Sequence, residues 1–582
     1  MKQINPLVIT LLLCIISILE IKAQDHYDTV CWVRVNDPQY HATAGVMLSN
    51  KAELNSLFAQ NGVQYYGKAY PFAKTQELLK IHEIRCETGK DISTLINSLQ
   101  EKFSNVFDNF LRIEIPDEDV MVYDPVDWMW YAHSNDWLWH LKKIQADSAW
   151  DITIGDTSVK TAVIDYAIDV NYPDLSSEIY PPYDPYTGHL LPANYNHGSA
   201  VASFVSAETT KQGEVPLGQL ASVGFETKLI AYETASRPVF LQKALHSSTV
   251  MGADVIVSCA GGSLKCAPDP ATGENLVVKE ILNNGTVIVM PAGNGSTGTH
   301  CSNANGYTEF YPFHSSYDER VIVVTSTDTA DCHRFIVNGV DRTHSHFPTV
   351  DICAPGYKVF GAQHTQCASI PDFPYYGGLT GTSFAAPIVA GACALLKSIN
   401  KDFTPGEIQY FIKSTADPVQ DENDFQGMLG AGRLNVFKAV QKANDCSPII
   451  ISSNNEVWDE DRTEVCGIEV SSGGCLTVKS TVKLSRHSAI IIHPGGKLII
   501  NGGRLTSLDD ELWPGVEVWG DRSTHQYAVN GSYGQGYVEL RNGATIENAV
   551  CALALWRPGH WGTTGGIVHA EDAVFRNNHR AV

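Results

Sequence analysis

The chain has 582 residues, of which 44% are apolar and 18% charged, a balance typical of a globular protein that excludes wholesale disorder. Its length exceeds what one hydrophobic core usually serves, so we expect several domains. The formal net charge of −23 excludes the basic surface that nucleic-acid binding requires, so nucleic acid is not expected as a partner.

The first 23 residues have the pattern of a signal peptide. Lys2 precedes an apolar run from Leu7 to Leu19, and Ala23 is a small residue just before a polar stretch. An N-terminal membrane anchor is the alternative, but the apolar run is short for a bilayer and Glu20 ends it. No later stretch reaches about eighteen uninterrupted apolar residues. We therefore predict a secreted, extracellular or cell-surface protein without a membrane span in its mature chain.

The cysteine count favours a mixture of bridges and free thiols. Fourteen cysteines are present, and loss of Cys14 with the signal peptide would leave an odd number, so complete internal pairing is excluded. Cys259 and Cys393 lie in apolar segments and are predicted to be buried free thiols. The candidate loop bridges are Cys266 with Cys301, Cys332 with Cys367, and Cys446 with either Cys466 or Cys475, although spacing does not fix the connectivity.

Residues 24–120 are predicted to form a small α+β region. Thr29–Val35 has the composition of a strand, and apolar residues recur at helical spacing from Asp91 to Phe107. No catalytic constellation is visible in this region. The following stretch, 121–136, is rich in Trp, Asp and Pro and is typical of an exposed connector.

Residues 137–445 have the pattern of an α/β domain. Continuous apolar, β-branched runs alternate there with helical patterns, at Val159–Ile164, Val255–Val257, Val287–Met290 and Val321–Thr325. Such runs are typical of strands buried on both faces. We therefore predict a mostly parallel sheet with helices on both faces.

Residues 446–582 change to short strands separated by Gly and Asn. Three segments look like one repeated phrase: Asn501–Thr506, Asn542–Glu547 and Glu571–Arg576. This repetition favours the coils of a parallel β-helix, with a β-sandwich as the alternative. Because the sequence stops within a repeat, we expect this β-helix to be incomplete.

Three segments carry residues suited to nucleophilic catalysis. Asp165 ends a predicted parallel strand, which is where α/β proteins build their sites, although a lone Asp there is usually a helix cap. His197 precedes small residues and an apolar helical run. Ser383 lies in the segment Gly381–Gly391, GTSFAAPIVAG, where small residues let a substrate approach and the following helix aims its positive end at the hydroxyl. Pro387 is expected within the first turn of that helix.

This eleven-residue phrase resembles the nucleophile motif of the subtilisin-like serine peptidases, the subtilases, nearly letter for letter. The resemblance covers roughly residues 137–443. It also includes the segments Ala162–Asp165, His197–Ala202, Gly252–Ile256, Pro291–Asn294, Tyr311–Pro312, Ala354–Gly356 and Gly430–Asn435, in the order that the family uses.

The resemblance implies a secreted serine endopeptidase that acts on proteins or peptides. Ser383 would be the nucleophile, His197 the general base, Asp165 the carboxylate that orients it, and Asn294 an oxyanion donor. The same resemblance assigns Gly261, Gly262 and Gly293 to substrate binding. Residues 24–120 resemble the family's pro-domain by position, with a permanent accessory domain as the alternative.

Departures from the family pattern lie close to the expected site. Tyr166-Ala167 replaces the usual Thr-Gly after the aspartate, Ser199-Ala200 replaces Thr-His, and Ser203 replaces Gly. Cys259-Ala260 stands in the cleft wall where Ser and Leu are common, so the substrate preference is left open. None of these changes removes a catalytic group, and we expect an active enzyme.

No cofactor is expected for the chemistry and no metal site is assigned. His344 and His346 have the right types for ligands, but without a third ligand we interpret them as part of a surface loop. The acidic stretch Asp459–Asp461 lacks the spacing of a calcium loop and is interpreted as solvated, although the family resemblance leaves structural calcium open. Two other functions remain as alternatives: a catalytically silent surface or adhesion protein, and a polysaccharide-acting enzyme with its site on the β-helix.

Overall fold

The structure of the protein is a computed structural model. It describes residues 30–42, 51–70, 73–87, 92–112, 139–166, 168–172, 174–180, 197–208, 220–234, 237–260, 262–265, 273–295, 307–310, 318–337, 339–362, 376–529 and 532–582. The predicted signal peptide and connector lie outside the described residues. The chain divides into two compact units, one of Met1–Lys401 with Ala416–Phe437 and the other of Asp402–Thr415 with Lys438–Val582.

The N-terminal part of the first unit is a small α+β region, as predicted. Its elements are β1 (Val30–Val35), α1 (Ala52–Gln60), β2 (Val63–Lys68), β3 (Ile81–Cys86), α2 (Ile92–Lys102) and β4 (Phe107–Arg112). The four strands form an antiparallel sheet in the order β2-β3-β1-β4. Helix α2 ends at Lys102 rather than at Phe107 as predicted, because the chain from Phe107 onward pairs with β1.

The rest of the first unit is an α/β domain. Its elements are α3 (Trp139–Lys143), α4 (Ala146–Trp150), β5 (Lys160–Asp165), α5 (His197–Ser206), β6 (Lys228–Glu233), α6 (Arg237–Thr249), β7 (Val255–Val257), β8 (Gly262–Lys265), α7 (Glu274–Asn283), β9 (Val287–Pro291), β10 (Tyr307–Phe310), β11 (Ile322–Thr327), β12 (Phe335–Val337), β13 (Val340–Arg342), β14 (Ile352–Pro355), β15 (Val359–Ala362), β16 (Tyr376–Leu379) and α8 (Thr382–Ile399).

Six of these strands form one parallel sheet in the order β14-β11-β9-β7-β5-β6. Every residue of β9 is buried, because helices cover the sheet on both faces. Helices α6 and α7 pack together over one face, and α5 and α8 pack together over the other. The predicted fold class, a subtilisin-like parallel sheet between helices, is confirmed.

Helix α8 is long and apolar enough to cross a membrane, with a mean hydropathy of 1.5, yet 89% of it is buried inside the protein. No other helix among the described residues meets these criteria. The fully buried Cys393 belongs to α8, and Cys259 is also buried. Neither is part of a disulfide, as predicted.

The N-terminal region shares a hydrophobic core with α6, α7 and the parallel sheet. Trp32, Tyr70 and Ile81 are fully buried in the same cluster as Val277 of α7. Gly273, with φ of +66°, precedes α7, and a Cβ atom at this glycine would lie 2.8 Å from the Ile81 side chain. The two regions are therefore in close contact at this point.

The contact includes a polar anchor on α7. Both carboxylate oxygens of Glu280 accept backbone N–H groups of the N-terminal region, from Lys74 at 2.6 Å and Thr75 at 2.8 Å. The Lys74 side chain donates to Asn284 at 2.6 Å. A helix carboxylate thus satisfies two adjacent amides of the small region.

The second unit contains most of the remaining elements. These are α9 (Pro405–Ser414), α10 (Val436–Asn444), which begins in the first unit, and the strands β17 (Ile449–Ile451), β18 (Glu456–Trp458), β19 (Arg462–Glu464), β20 (Ile468–Val470), β21 (Cys475–Val478), β22 (Thr481–Leu484), β23 (Ile490–Ile492), β24 (Lys497–Asn501), β25 (Arg504–Ser507), β26 (Trp513–Val518), β27 (Tyr537–Arg541), β28 (Ala544–Glu547), β29 (Ala549–Ala554), β30 (Ile567–Ala570) and β31 (Ala573–Arg576).

These strands form three parallel five-stranded sheets, and successive coils add one strand to each sheet. Stacked coils with parallel strands form a β-helix-like region, in agreement with the β-helix interpretation. A β-sandwich, the alternative, would have antiparallel sheets. The repeated phrase stacks in register, since Arg504 pairs with Thr545 and Ala544 pairs with Ala573. Asn542 also donates to Asn501 at 2.6 Å across the same corner.

One of the alternative disulfides is present. Cys446 is bonded to Cys466, with their Cα atoms 5.3 Å apart, and Cys475 is a free thiol. Cys332 is free as well, so the suggested pairing with Cys367 is not made. The suggested bridge between Cys266 and Cys301 lies outside the described residues.

Candidate active site

The carboxylate and the histidine from the sequence analysis are in direct contact. Asp165 is the last residue of β5 and is fully buried. Its Oδ1 atom lies 2.6 Å from Nδ1 of His197, the first residue of α5. The same carboxylate accepts the backbone N–H groups of Tyr166 at 2.7 Å and Cys259 at 3.1 Å. Both carboxylate oxygens are therefore fixed, and the imidazole faces a carboxylate that cannot rotate.

The backbone around this pair explains its position. Because β5 is parallel to its neighbours, Asp165 emerges at the carboxyl edge of the sheet. The backbone N–H of Gly198 donates to the carbonyl of Tyr166 at 2.8 Å, which ties the start of α5 to the end of β5. The departure from the family pattern at Tyr166 thus leaves the contact between Asp165 and His197 intact.

Ser383 is the second residue of α8, close to the helix end where free N–H groups and the positive dipole are concentrated. The residue is only 2% exposed. Among the residues that the structure describes, none offers its Oγ atom a hydrogen bond. A buried hydroxyl without a partner is rare in a folded protein and is suited to a reacting group.

Pro387 lies deeper in the helix than the sequence predicted. Because α8 begins at Thr382, Pro387 falls in its second turn rather than its first. A proline there has no N–H to donate to the carbonyl four residues earlier, which is that of Ser383. The Ser383 carbonyl therefore lacks the usual donor four residues later.

Asn294 contacts Thr382, the residue before Ser383. Its Oδ1 atom accepts two hydrogen bonds from Thr382, from the backbone N–H at 2.9 Å and from the hydroxyl at 3.1 Å. The Thr382 hydroxyl in turn accepts the Gly293 N–H at 3.0 Å. With Oδ1 held in this way, the amide group of Asn294 is left with its Nδ2 hydrogens to donate, and the residue is exposed.

Gly381 keeps this arrangement compact. Its φ of +156° is one that L side chains rarely adopt, and a Cβ atom there would lie 3.4 Å from both side-chain polar atoms of Asn294. That distance is an ordinary van der Waals contact with the amide group, so the cost of a side chain at Gly381 would come from its backbone conformation.

Aromatic contacts join His197 to helix α8. The ring of His197 lies 5.6 Å from that of Phe384, centroid to centroid, and Phe384 directly follows Ser383. Phe204 of α5 lies 5.9 Å from the same Phe384 ring. The structure thus brings Asp165, His197, Ser383 and Asn294 to one place from four separate segments.

The three glycines assigned to substrate binding are only partly described. Gly262 begins β8, which pairs with β10 in an antiparallel ribbon. Gly293 lies beside Asn294 with φ of +98°. Gly261 lies outside the described residues.

The segment with His344 and His346 is not the surface loop that the sequence analysis suggested. His344 and Ser345 are 5% and 1% exposed. Ser345 contacts both neighbours of Asn294: its N–H donates to the Gly293 carbonyl at 3.0 Å, and its Oγ accepts the Gly295 N–H at 3.1 Å. Sequence reasoning missed this serine, because nothing in its local pattern shows a contact made fifty residues away.

Burial also governs the ionisation of this segment. Desolvation lowers the pKa of His333 to about 4 and that of His344 to about 3, so both rings are neutral near pH 7. His333 Nε2 lies 3.2 Å from His346 Nδ1.

Within the described part of the chain, no group of three or more His, Cys, Asp or Glu residues is arranged to hold a metal ion.

Part of the chain is similar in sequence to known proteins. Residues 156–432 match the subtilase family, Peptidase_S8. This part of the chain is similar to the subtilases. The chain is 28% identical over 306 residues to thermitase from Thermoactinomyces vulgaris, covering 52% of this chain and 94% of that protein. It is 31% identical over 301 residues to the thermophilic serine proteinase of Bacillus sp. (strain AK1), covering 50% of this chain and 64% of that one.

One solved structure that matches part of this chain is that of fervidolysin from Fervidobacterium pennivorans, described as a keratinolytic enzyme related to subtilisin. It is 17% identical, with a TM-score of 0.46, and the match covers 74% of this chain and 63% of that one. The subtilase match ends at residue 432, so it does not include the β-helix-like coils.

Proposed function

We propose that the chain is a secreted serine endopeptidase that hydrolyses peptide bonds through an acyl-enzyme on Ser383. The main support for this proposal is the 2.6 Å contact between Asp165 and His197. Beside it, at the N-terminus of α8, the Ser383 hydroxyl has no hydrogen-bond partner among the described residues. Proteins and peptides are the proposed substrates, in keeping with the names of the subtilase relatives.

The proposed mechanism assigns each group one task. His197 removes the proton from Ser383 Oγ as the oxygen attacks the peptide carbonyl, and later returns it to the leaving amine. Asp165 keeps the proton of the imidazole on Nδ1, so that Nε2 is the base, and stabilises the cation that forms.

The oxyanion of the tetrahedral intermediate needs donors that are already oriented. The Asn294 Nδ2 group is one, since Thr382 holds the other end of its amide. The backbone N–H of Ser383 is the other, supported by its position in the first turn of α8. Fixed donors cost no reorganisation when the charge appears, which is the main reason that they accelerate the reaction. This chemistry requires no cofactor.

The N-terminal region is proposed to act as a pro-domain rather than as a permanent accessory domain. Support comes from its position before the catalytic domain and from its contact with α7, where Glu280 binds two of its amides. The predicted signal peptide supports export, and attachment at the cell surface remains part of the proposal.

The test of the peptidase assignment is Ser383→Ala. We expect loss of peptide hydrolysis and of labelling by a fluorophosphonate probe, with an unchanged melting temperature, because only the nucleophilic oxygen is removed. Ser398→Ala is the matched control, since Ser398 lies at the far end of the same helix and bonds only the Ala394 carbonyl. Undiminished hydrolysis by the Ser383 variant would contradict the assignment, and an unlabelled wild type would favour a silent surface protein.

A further inference from the structure

The Asn294–Gly295 pair has an intrinsic chemical weakness. In an Asn-Gly sequence the backbone nitrogen of Gly can attack the Asn side-chain carbon. The new C–N bond closes a succinimide, the bond from Cγ to Nδ2 breaks, and ammonia leaves with the amide proton. Water then opens the ring to Asp or isoAsp. Glycine favours the reaction because it has no side chain to hinder the attack.

At this position the reaction would be costly for the proposed enzyme. Asn294 is exposed, so water has access to it. Conversion to Asp or isoAsp would replace the Nδ2 donor by a carboxylate, which can only accept hydrogen bonds when ionised. A negative group would then stand where the oxyanion has to develop.

Two separate segments hold the two reacting atoms. Thr382 holds the Asn294 side chain through two hydrogen bonds to Oδ1. Ser345 holds the attacking nitrogen, because the Gly295 N–H is donated to its Oγ atom at 3.1 Å. Gly295 and Ser345 are both buried, so this bond is shielded from competing water.

Ser345 is itself anchored. Its carbonyl accepts the Thr325 hydroxyl of β11 at 2.7 Å, and its N–H donates to the Gly293 carbonyl at 3.0 Å. The serine therefore contacts the loop on both sides of Asn294, and β11 of the parallel sheet supports it.

We propose that Ser345 is a positioning residue that holds the Asn294 loop in its catalytic geometry and protects the Asn294–Gly295 pair from deamidation. The first half rests on the proposed peptidase function. The second half depends only on the contacts of Ser345 and stands independently of activity.

The two halves are tested separately. Deamidation is followed in the Ser383→Ala background, which excludes self-digestion, by ageing the protein at mildly alkaline pH and mapping peptides by mass spectrometry. Adding Ser345→Ala should make conversion of Asn294 several times faster. Asn542–Gly543, an exposed Asn-Gly pair in the β-helix-like unit, is the internal reference. Asn542 should deamidate at the same rate in both proteins.

Catalysis is measured with Ser345→Ala in the otherwise unmodified chain. Loss of one neutral hydrogen bond predicts a fall in kcat of about tenfold with KM nearly unchanged. Ser326→Ala is the matched control, because Ser326 is a buried serine nearby that bonds His344 and not the Asn294 loop. This variant should keep the kcat of the unmodified chain and its rate of Asn294 deamidation.

Ser345→Cys provides a second variant if the alanine protein does not fold, because a thiol has a similar size but accepts hydrogen bonds weakly. If a folded Ser345 variant deamidates at Asn294 no faster than the protein with Ser345, the proposal is overturned. An active site that proves inert in the wild type would instead refute the peptidase function, while the ageing comparison would still decide the role of Ser345.

Discussion

At the scale of single residues, the site depends on hydrogen bonds that fix otherwise mobile polar groups. Asp165 is held by two backbone amides as well as by His197. Asn294 is held by Thr382, which is in turn bonded to Gly293. In both cases the group that would act in catalysis is oriented before a substrate arrives, and preorganisation of this kind lowers the barrier of the chemical step.

Thr382 offers a direct test of this preorganisation. Thr382→Val keeps the side-chain shape and the backbone N–H but removes the hydroxyl that bonds Asn294 and Gly293. We expect kcat to fall by about five- to tenfold, since one hydrogen bond is worth roughly 1–1.4 kcal/mol, with KM nearly unchanged.

A double-mutant cycle separates orientation from general damage. Asn294→Ala alone should lower kcat by about 10²–10³-fold, the loss typical when a subtilisin loses its asparagine oxyanion donor. Once Asn294 is absent, Thr382→Val should have little further effect, because the two act through one interaction. Thr249→Val, which removes a hydroxyl bonded only to the Leu245 carbonyl, is the control. Full additivity would mean that Thr382 does not act through Asn294.

At the scale of elements, the sequence predicted what depends on local pattern and missed what depends on distant contacts. Asp165, His197, Ser383 and Asn294 each lie in a motif that can be read from a few adjacent residues. Ser345 could not be found in this way, because its role consists of bonds to a loop fifty residues earlier. The overlong prediction of α2 has the same cause, since pairing of Phe107 with Val35 of β1 overrides the helical pattern.

The buried histidines behind the Asn294 loop predict how stability changes with pH. Burial lowers the pKa of His344 to about 3 and that of His333 to about 4, whereas in the unfolded chain both would titrate near 6.5. Between these values the unfolded state binds protons that the folded state does not. The free energy of unfolding should therefore fall as pH drops from about 6.5 towards 4. Above about pH 7, His333 and His344 should not change it.

The measurement is denaturant unfolding at a series of pH values for the wild type and His344→Asn. The variant lacks one group that binds a proton on unfolding. The slope of its unfolding free energy against pH should therefore be smaller between about pH 4 and 6.5, by up to about 1.4 kcal/mol per pH unit. His569→Asn, a change at an exposed histidine in the other unit, should leave the slope unchanged. His82, whose pKa burial also lowers to about 4, is present in all three proteins and cancels. Equal slopes in wild type and His344→Asn would refute the assignment.

At the scale of the whole molecule, the proposed catalytic groups and the β-helix-like coils belong to different compact units. A chain that ends at Ala443 contains Asp165, His197, Asn294 and Ser383, so we expect it to cleave small peptides at close to the full-length rate. Its melting temperature should be lower, because α9 belongs to the coil unit and the Thr404 hydroxyl at its cap donates to Asp509.

The control for this experiment is Asp509→Asn in the full-length chain, which weakens the bond to Thr404 without removing the coils. It should lower stability in the same direction but by less, and should not affect peptide cleavage. If the truncated protein folds, as judged by its circular dichroism, and yet fails to cleave peptides, the coils are needed to form the site.

The last prediction concerns maturation. The chain has, in order, a predicted signal peptide, an α+β region that contacts α7 through Glu280, a predicted connector at 121–136 and the catalytic domain. We expect the wild type to be cut between about Pro116 and Asp136 by its own active site, because a pro-domain must be severed from the enzyme that it inhibits. Ser383→Ala should keep its N-terminal region attached, as intact-mass measurement of both secreted proteins would show.

Glu280→Ala distinguishes a pro-domain from a permanent accessory domain in the same experiment. Loss of the carboxylate leaves the amides of Lys74 and Thr75 without their acceptor, so the cleaved N-terminal region should dissociate more readily and activity should appear earlier. Glu101→Ala, a change at an exposed carboxylate of α2, is the control. An active wild type that retains residues 24–115 would make the region a permanent domain, and identical cutting of wild type and Ser383→Ala would assign the cut to another protease.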